Sequence, residues 1–157
     1  MRPLKHLGVV SGRGSPLHSL GGSRGRVRFR NGPSVRKQYY FRTSSRGLLA
    51  WDVDRLVQLS TTLPRKQVEL SQLRELDEVW PDNGDRPTWR AIVEHMKLID
   101  EADLSFPIIL SSNGAIMDGR HRVAKALREG RKEITAVQFE HDPDPDHVGL
   151  AAEDLPY

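Results

Sequence analysis

The chain reads as a small α+β domain, a mixed sheet with flanking helices, and three observations predict it. Amphipathic helical segments alternate with short apolar runs from Tyr39 onward. One pair of runs is separated by Asn113-Gly114, a tight-turn signal. No internal repeat or long uniform pattern points to another architecture. At 157 residues the length suits one domain with its own core. With 37% hydrophobic residues, part of that length is not expected to join the core. There is no cysteine, which excludes disulfides, thiolate catalysis and zinc–thiolate sites and fits a reducing compartment. No stretch approaches the roughly 18 apolar residues of a membrane helix, and none resembles a secretory h-region. A soluble cytoplasmic protein with no membrane partner is the expectation.

Charge divides the chain. Residues 1–46 hold eleven Lys/Arg and no acid; residues 47–157 hold the other thirteen basic residues and all twenty-one acidic ones, a balance of −8. Residues 1–38 read as a disordered basic tail, rich in Gly and Ser and without a sustained period, unable to offset chain entropy by apolar burial. Arg/Gly composition also suits nucleic-acid phosphates, and an Arg-rich, acid-free start suits an organellar transit peptide. The compositional break further admits a natural start near Val35. Plain disorder or the late start is favoured, and any nucleic-acid partner is expected through this tail alone.

The patterned part, residues 39–140, is then taken in order. "YYFRT" is an edge strand by its aromatic and β-branched content. In "DVDRLVQLSTTLP", Val53, Leu56, Val57 and Ser60 recur at helical spacing, with Asp52 as cap and Pro64 as stop. "KQVEL" is a short strand, "SQLRELDE" a turn or brief helix, and "VWPDNGDRP" a loop. The strongest helix is Trp89 to Asp100, where Trp89, Ile92, Val93, Met96 and Ile99 make one stripe behind a Thr88 cap. "FPIIL" and "AIMDG" form a hairpin about a type I′ Asn113-Gly114 turn. A helix follows, with Val123, Ala124 and Leu127 on one face and Gly130 past its end. "EITAVQF" is the last strand, and residues 141–157 are an acidic tail.

One stretch carries chemistry. In "IMDGRHRVAKALREGRKEI", Arg120, His121 and Arg122 open a helix directly after a strand. A helix N-terminus offers unpaired N–H groups and partial positive charge, and so accepts anions. Cations in a first turn oppose that dipole, where acids would be favoured by about 0.3–1 kcal/mol each. Helix stability alone does not select such a triplet. A phosphate held by the backbone beside Gly119, with Arg120, His121 and Arg122 as donors, accounts for it; a solvated helix start accounts for it equally well. Asp118 is the candidate N-cap and belongs to the same group of phosphate-site residues.

Strand, Gly119-Arg120-His121-Arg122, alanine-bearing helix and "EGRKEITAVQF" resemble the phosphate-binding box of the ParB/sulfiredoxin superfamily. There a Gly-x-x-Arg turn follows a hairpin strand and opens a helix that ends in Gly before a further strand. The resemblance spans roughly residues 66–139. It implies a nucleotide (ATP, ADP or CTP) on the turn, magnesium with it, and phosphotransferase or NTPase activity in some members. Arg120 stands where sulfiredoxins keep their catalytic cysteine, so that chemistry is excluded. No residue after Phe139 reads as the helix-turn-helix of the partition clamps. Phosphotransfer needs a carboxylate beside the phosphate, and Glu75, Asp77 and Glu78 lie about where the family's kinases keep theirs. The residues do not choose among the three. The alternative function is a ParB-like DNA-interacting or nuclease-like accessory protein without nucleotide chemistry.

Other constellations are set aside. Asp142, Asp144, Asp146 and Glu153 fall at positions 1, 3, 5 and 12 of a calcium loop, but His147 occupies the position that needs glycine. The segment is therefore read as solvated. His141 and His147 lack further ligands nearby. Trp51, Trp80 and Trp89 are core or base-stacking candidates, Trp80 being the one beside the acids.

Overall fold

The computed structural model describes residues 37–78 and 87–157; residues 1–36, expected to be a disordered basic tail, and residues 79–86, expected to be a loop and including Trp80, lie outside the described residues. The strands are β1 (Tyr39–Ser44), β2 (Gly47–Asp52), β3 (Lys66–Glu69), β4 (Ile108–Leu110), β5 (Ile116–Asp118), β6 (Glu133–Gln138) and β7 (His147–Val148). The helices are α1 (Val53–Ser60), α2 (Trp89–Glu101) and α3 (Arg120–Arg128). Short 3-10 turns occupy Leu70–Gln72, Arg74–Leu76 and Ala152–Asp154. The class is α+β, with two small sheets where the sequence suggested one. The first is antiparallel, in the order β1-β2-β7. The second, β3-β6-β4-β5, is mixed, because β4 runs parallel to β6 while its other pairings are antiparallel.

Strands β4 and β5 of the mixed sheet, with Ala136 and Val137 of β6, are buried on both faces, which explains their near-continuous apolar runs, whereas on β3 only Val68 is buried. Period-two alternation sends Ile108, Leu110, Ile116, Ile134 and Ala136 to one face, where Val123 and Ala126 of α3 and Leu70 and Leu73 cover them. Ile109, Met117 and Val137 point the other way, against Leu49, Trp51, Leu56 and Phe139. Trp51 is thus core, and its Nε1 donates to Pro143 O at 2.7 Å.

Local chemistry explains most element ends. Asp52 caps α1 by accepting from Asp54 N at 2.9 Å, and Thr88 caps α2 by accepting from Ala91 N at 3.1 Å. Gly130, at φ +71°, closes α3 in a Schellman motif, with Gly130 N on Leu127 O and Arg131 N on Ala126 O. The β4–β5 hairpin differs from the expected two-residue turn. Gly114 N donates to Ser111 O and Ser111 N to Ala115 O, so the loop has three residues with Gly114 at φ +86°. Asn113 instead uses its side chain, accepting from Ala115 N at 3.1 Å.

Three further readings are corrected. The stripe of α2 is not core: Trp89, Val93 and Met96 are exposed, and no residue of the helix is fully buried. The helix turns instead its flank with His95 toward α3, and Lys125 Nζ donates to Asp100 O and Ala102 O. On α3 the inward face is Val123 and Ala126, while Leu127 is exposed. The acidic segment after residue 140 is held, not solvated throughout. β7 adds to β2, Leu155 is buried, and Tyr39 Oη donates to Pro156 O. Asp142 accepts from Ser112 N and from Arg42 Nη1, each at 2.7 Å, and Asp146 from Asp52 N and Arg55 Nη1. The aspartates that mimic a calcium loop are thus partly engaged as staples between the segment and the domain. Strand β2 and strand β7 were not anticipated from the sequence.

Replacing Asp142 with alanine removes two charge-assisted hydrogen bonds and is expected to cost about 1.5–3 kcal/mol. Urea unfolding of the variant against wild type measures it, and a cost near zero would return the segment to the status of a tail.

Candidate functional site

The turn between β5 and α3 is the centre of the site. Gly119 takes φ +101°, a left-handed conformation that opens α3 as its N-cap. Asp118 is not the cap, because Gly119 supplies that residue and the first turn follows it directly. Asp118 Oδ2 accepts instead from Arg122 Nη2 at 2.6 Å, an i,i+4 pair across the start of the helix. A Cβ on residue 119 would stand 2.8 Å from both Ile108 Cγ2 and Arg122 Nη2. Arg122 is therefore folded back over the glycine, and its buried Nε has no hydrogen-bond partner. The structure thus gives the three basic residues three different settings. Arg122 is neutralised by Asp118, Arg120 is exposed, and His121 is half-buried.

Two clefts flank this turn, and Ile116, Arg120 and His121 line both. The first, of about 480 Å³, lies between the turn, α2 and the 3-10 segment; Glu75, Glu78, His95 and Leu98 complete it. The second, of about 500 Å³, lies on the side of β1 and is lined by aromatic residues. Both fall within the ordinary size of small-ligand sites.

Of the three candidate carboxylates, Glu75 and Glu78 line the first cleft, whereas Asp77 is exposed at the end of its 3-10 turn and does not. Glu75 has the more specific setting. Its Oε1 accepts from Ile116 N at 2.7 Å, capping the outer strand β5, while its Oε2 is buried without a partner. A buried acceptor left unmatched costs stability and invites a donor. Among the described residues no group of three or more His, Asp or Glu is placed to hold a metal ion.

His121 also joins α3 to α2. Its Nε2 lies 3.3 Å from Nδ1 of His95, with the rings 4.7 Å apart. Burial, and then the neighbouring His95, holds His121 below the ordinary 6.5, with Arg122 acting the same way and Asp118 opposing. Burial lowers His95 as well. His95 was not legible in the sequence, because no spacing rule links residues 95 and 121. The aromatic wall of the second cleft was equally hidden.

Comparison with protein-family models, curated proteins and solved structures finds no match for the chain.

Two predictions follow from this geometry. Gly119→Ala is expected to destabilise by at least about 2 kcal/mol, from backbone strain and overpacking together; a chemical-denaturation midpoint equal to wild type would contradict the close approach. The histidines also set a pH dependence. With folded values below 6.5, the unfolded chain binds more protons as pH falls, so their contribution is complete above 6.5 and is lost below it. Thermal midpoints should fall between pH 7.5 and 5.5, and His95→Gln should flatten that fall. A midpoint indifferent to pH across this window would show that the half-buried pair makes no such contribution.

Proposed function

We propose that this chain is a ParB-like nucleotide-binding domain that receives the phosphates of ATP, ADP or CTP at the Gly119–Arg122 turn. The observation that carries the reading is the combination at one turn of a left-handed glycine opening a helix, Arg120 and His121 between two clefts, and carboxylates across the first cleft. The backbone N–H groups of the first turn and the dipole of α3 supply the anion-binding field. Arg120 and His121 add donors, and Arg122 acts chiefly by holding Asp118 and covering Gly119. The order of hairpin strand, turn, helix and returning strand is the one expected of the ParB/sulfiredoxin superfamily, and membership is part of the proposal.

Phosphotransfer or hydrolysis is the accompanying chemistry. Glu75 serves as the base that takes a proton from the attacking hydroxyl or water, because it lines the first cleft and its second oxygen has no hydrogen-bond partner. Glu78 is the nearer alternative, and Asp77 is set apart by its position. Magnesium would be held mainly by the nucleotide's phosphates with one or two of these carboxylates, and when bound supplies charge neutralisation at the transferring phosphoryl group. The DNA-interacting alternative has less support, since residues 47–157 balance to −8 and phosphate backbones need a positive face.

The test is calorimetric titration of the full chain with ATP, ADP, CTP and GTP in magnesium buffer. One nucleotide should bind, and Arg120→Ala should weaken it about tenfold or more, the worth of one charge-assisted hydrogen bond. Turnover should vanish in Glu75→Gln with binding retained. Glutamine is the informative substitution, because it keeps an acceptor for Ile116 N. Absence of binding by every nucleotide at millimolar concentration would end the nucleotide reading.

A further inference from the structure

Beyond the Gly119–His121 turn, the walls of the second cleft have no part in the chemistry just described, and they differ from those of the first. Tyr39, Phe41 and Tyr157 line it from one face of β1 and Tyr40 from the other, so the cleft wraps the outer edge of β1 and reaches Asp118, Gly119, Arg120 and His121. We infer that this cleft receives the planar heteroaromatic base of the nucleotide whose phosphates sit on the Gly119 turn. The inference rests on the reading of that turn as a phosphate site, and it adds the place and the means by which the rest of the ligand is held.

The rings are braced before any ligand arrives. Tyr39 meets Tyr157 edge to face, with centroids 5.5 Å apart and planes at 88°. It meets His147 in the same manner at 5.7 Å, and its hydroxyl is anchored on Pro156 O at 3.0 Å. Tyr40 rests against the buried Trp51 with centroids 5.5 Å apart. A ring fixed by neighbours loses little further freedom on stacking, so such a wall suits a flat partner better than a flexible one. The segment after residue 140, which brings His147, Pro156 and Tyr157 to this place, thereby has a role beyond covering the first sheet.

Polar groups at the cleft fit a base with a hydrogen-bonding rim. β1 is the outer strand of its sheet, paired with β2 alone among the described strands. Its far edge therefore offers backbone N–H and C=O groups in the manner of any outer strand. Lys37, held 2.9 Å from Asp52, stands at the same wall. A molecule that joins several phosphates to a flat ring, and so spans the turn and this wall together, is a nucleotide. Inorganic polyphosphate would use the turn only.

The test compares the tightest nucleotide of the panel with inorganic tripolyphosphate, by calorimetry on the full chain with magnesium. The nucleotide is expected to bind at least about tenfold more tightly, the scale of one base–aromatic stack. Tyr157→Ala, at an exposed ring, and Tyr39→Ala should each remove most of that advantage while leaving tripolyphosphate affinity unchanged. Saturation-transfer NMR on the wild type needs no variant; the base protons should receive magnetisation from the tyrosine rings. Equal affinity of nucleotide and tripolyphosphate would overturn the inference and leave the phosphate turn standing. A preference that survives both substitutions, with no transfer from tyrosine, would place the base elsewhere and also overturn it. Failure of both ligands to bind would remove the turn reading and this inference together.

Discussion

Burial of β4, β5 and the end of β6 on both faces of the mixed sheet is the constraint on which the rest of this molecule depends. A sheet covered on one side can leave polar residues on the other, as Gln67 and Thr135 do at the β3 end, but Ile109, Met117 and Val137 leave no such face across β4, β5 and the end of β6. The second face must be covered, and α1, β2 and Phe139 do it, with Leu56 and Trp51 fully inside. The first face is covered by α3, whose Val123 and Ala126 pack on the opposite set of alternating residues. α3 is thereby fixed against the strands that precede and follow it. The turn that connects β5 to α3 has almost no room, and Gly119 is the residue that fits between Ile108 and Arg122.

The same arrangement answers the electrostatic question posed by three cations at the start of a helix. Arg122 sits across from Asp118, and the two charges cancel over the glycine. His121 is half-buried against His95, where desolvation and the second imidazole work against a positive charge. The first turn is therefore less cationic than its composition implies. What distinguishes the turn is its position, with carboxylates in the cleft on one side and braced aromatic rings on the other.

The segment from residue 140 onward shows how composition can mislead. Six acids and no Lys or Arg suggest a solvated tail. Yet Asp142 and Asp146 each accept from a backbone N–H and from an arginine, so two of those charges hold the segment to β1, β2, α1 and the β4–β5 loop. Hydrogen bonds from Ser112 and Arg42 outweigh the burial that would raise Asp142, and its carboxyl lies below the ordinary 3.8. The cost of ordering this segment is met partly by Leu155 and by the edge-to-face contacts of Tyr157 with Tyr39.

What the sequence determined by itself was local. The caps Asp52 and Thr88, the glycine after α3, the extents of the three helices, the hairpin between "FPIIL" and "AIMDG", and the α+β class all follow from rules that operate within a few residues. Those rules fail where partners are remote. The stripe of α2 has the period of a core helix, but period alone cannot say which flank meets a neighbour, and tertiary packing selected the flank with His95. Asp118 has the chemistry of a cap, but a left-handed Gly119 filled that place, and the aspartate turned to Arg122. Two-residue β7 has no pattern at all, and its pairing to β2 is accompanied by aspartate anchors whose donors, Ser112 apart, lie ninety or more positions away. The pairing of His95 with His121, the separation of Glu75 and Glu78 from Asp77, and the aromatic wall of the second cleft were decided only by the tertiary structure, since each depends on side chains that chain folding, and not sequence spacing, brings within reach.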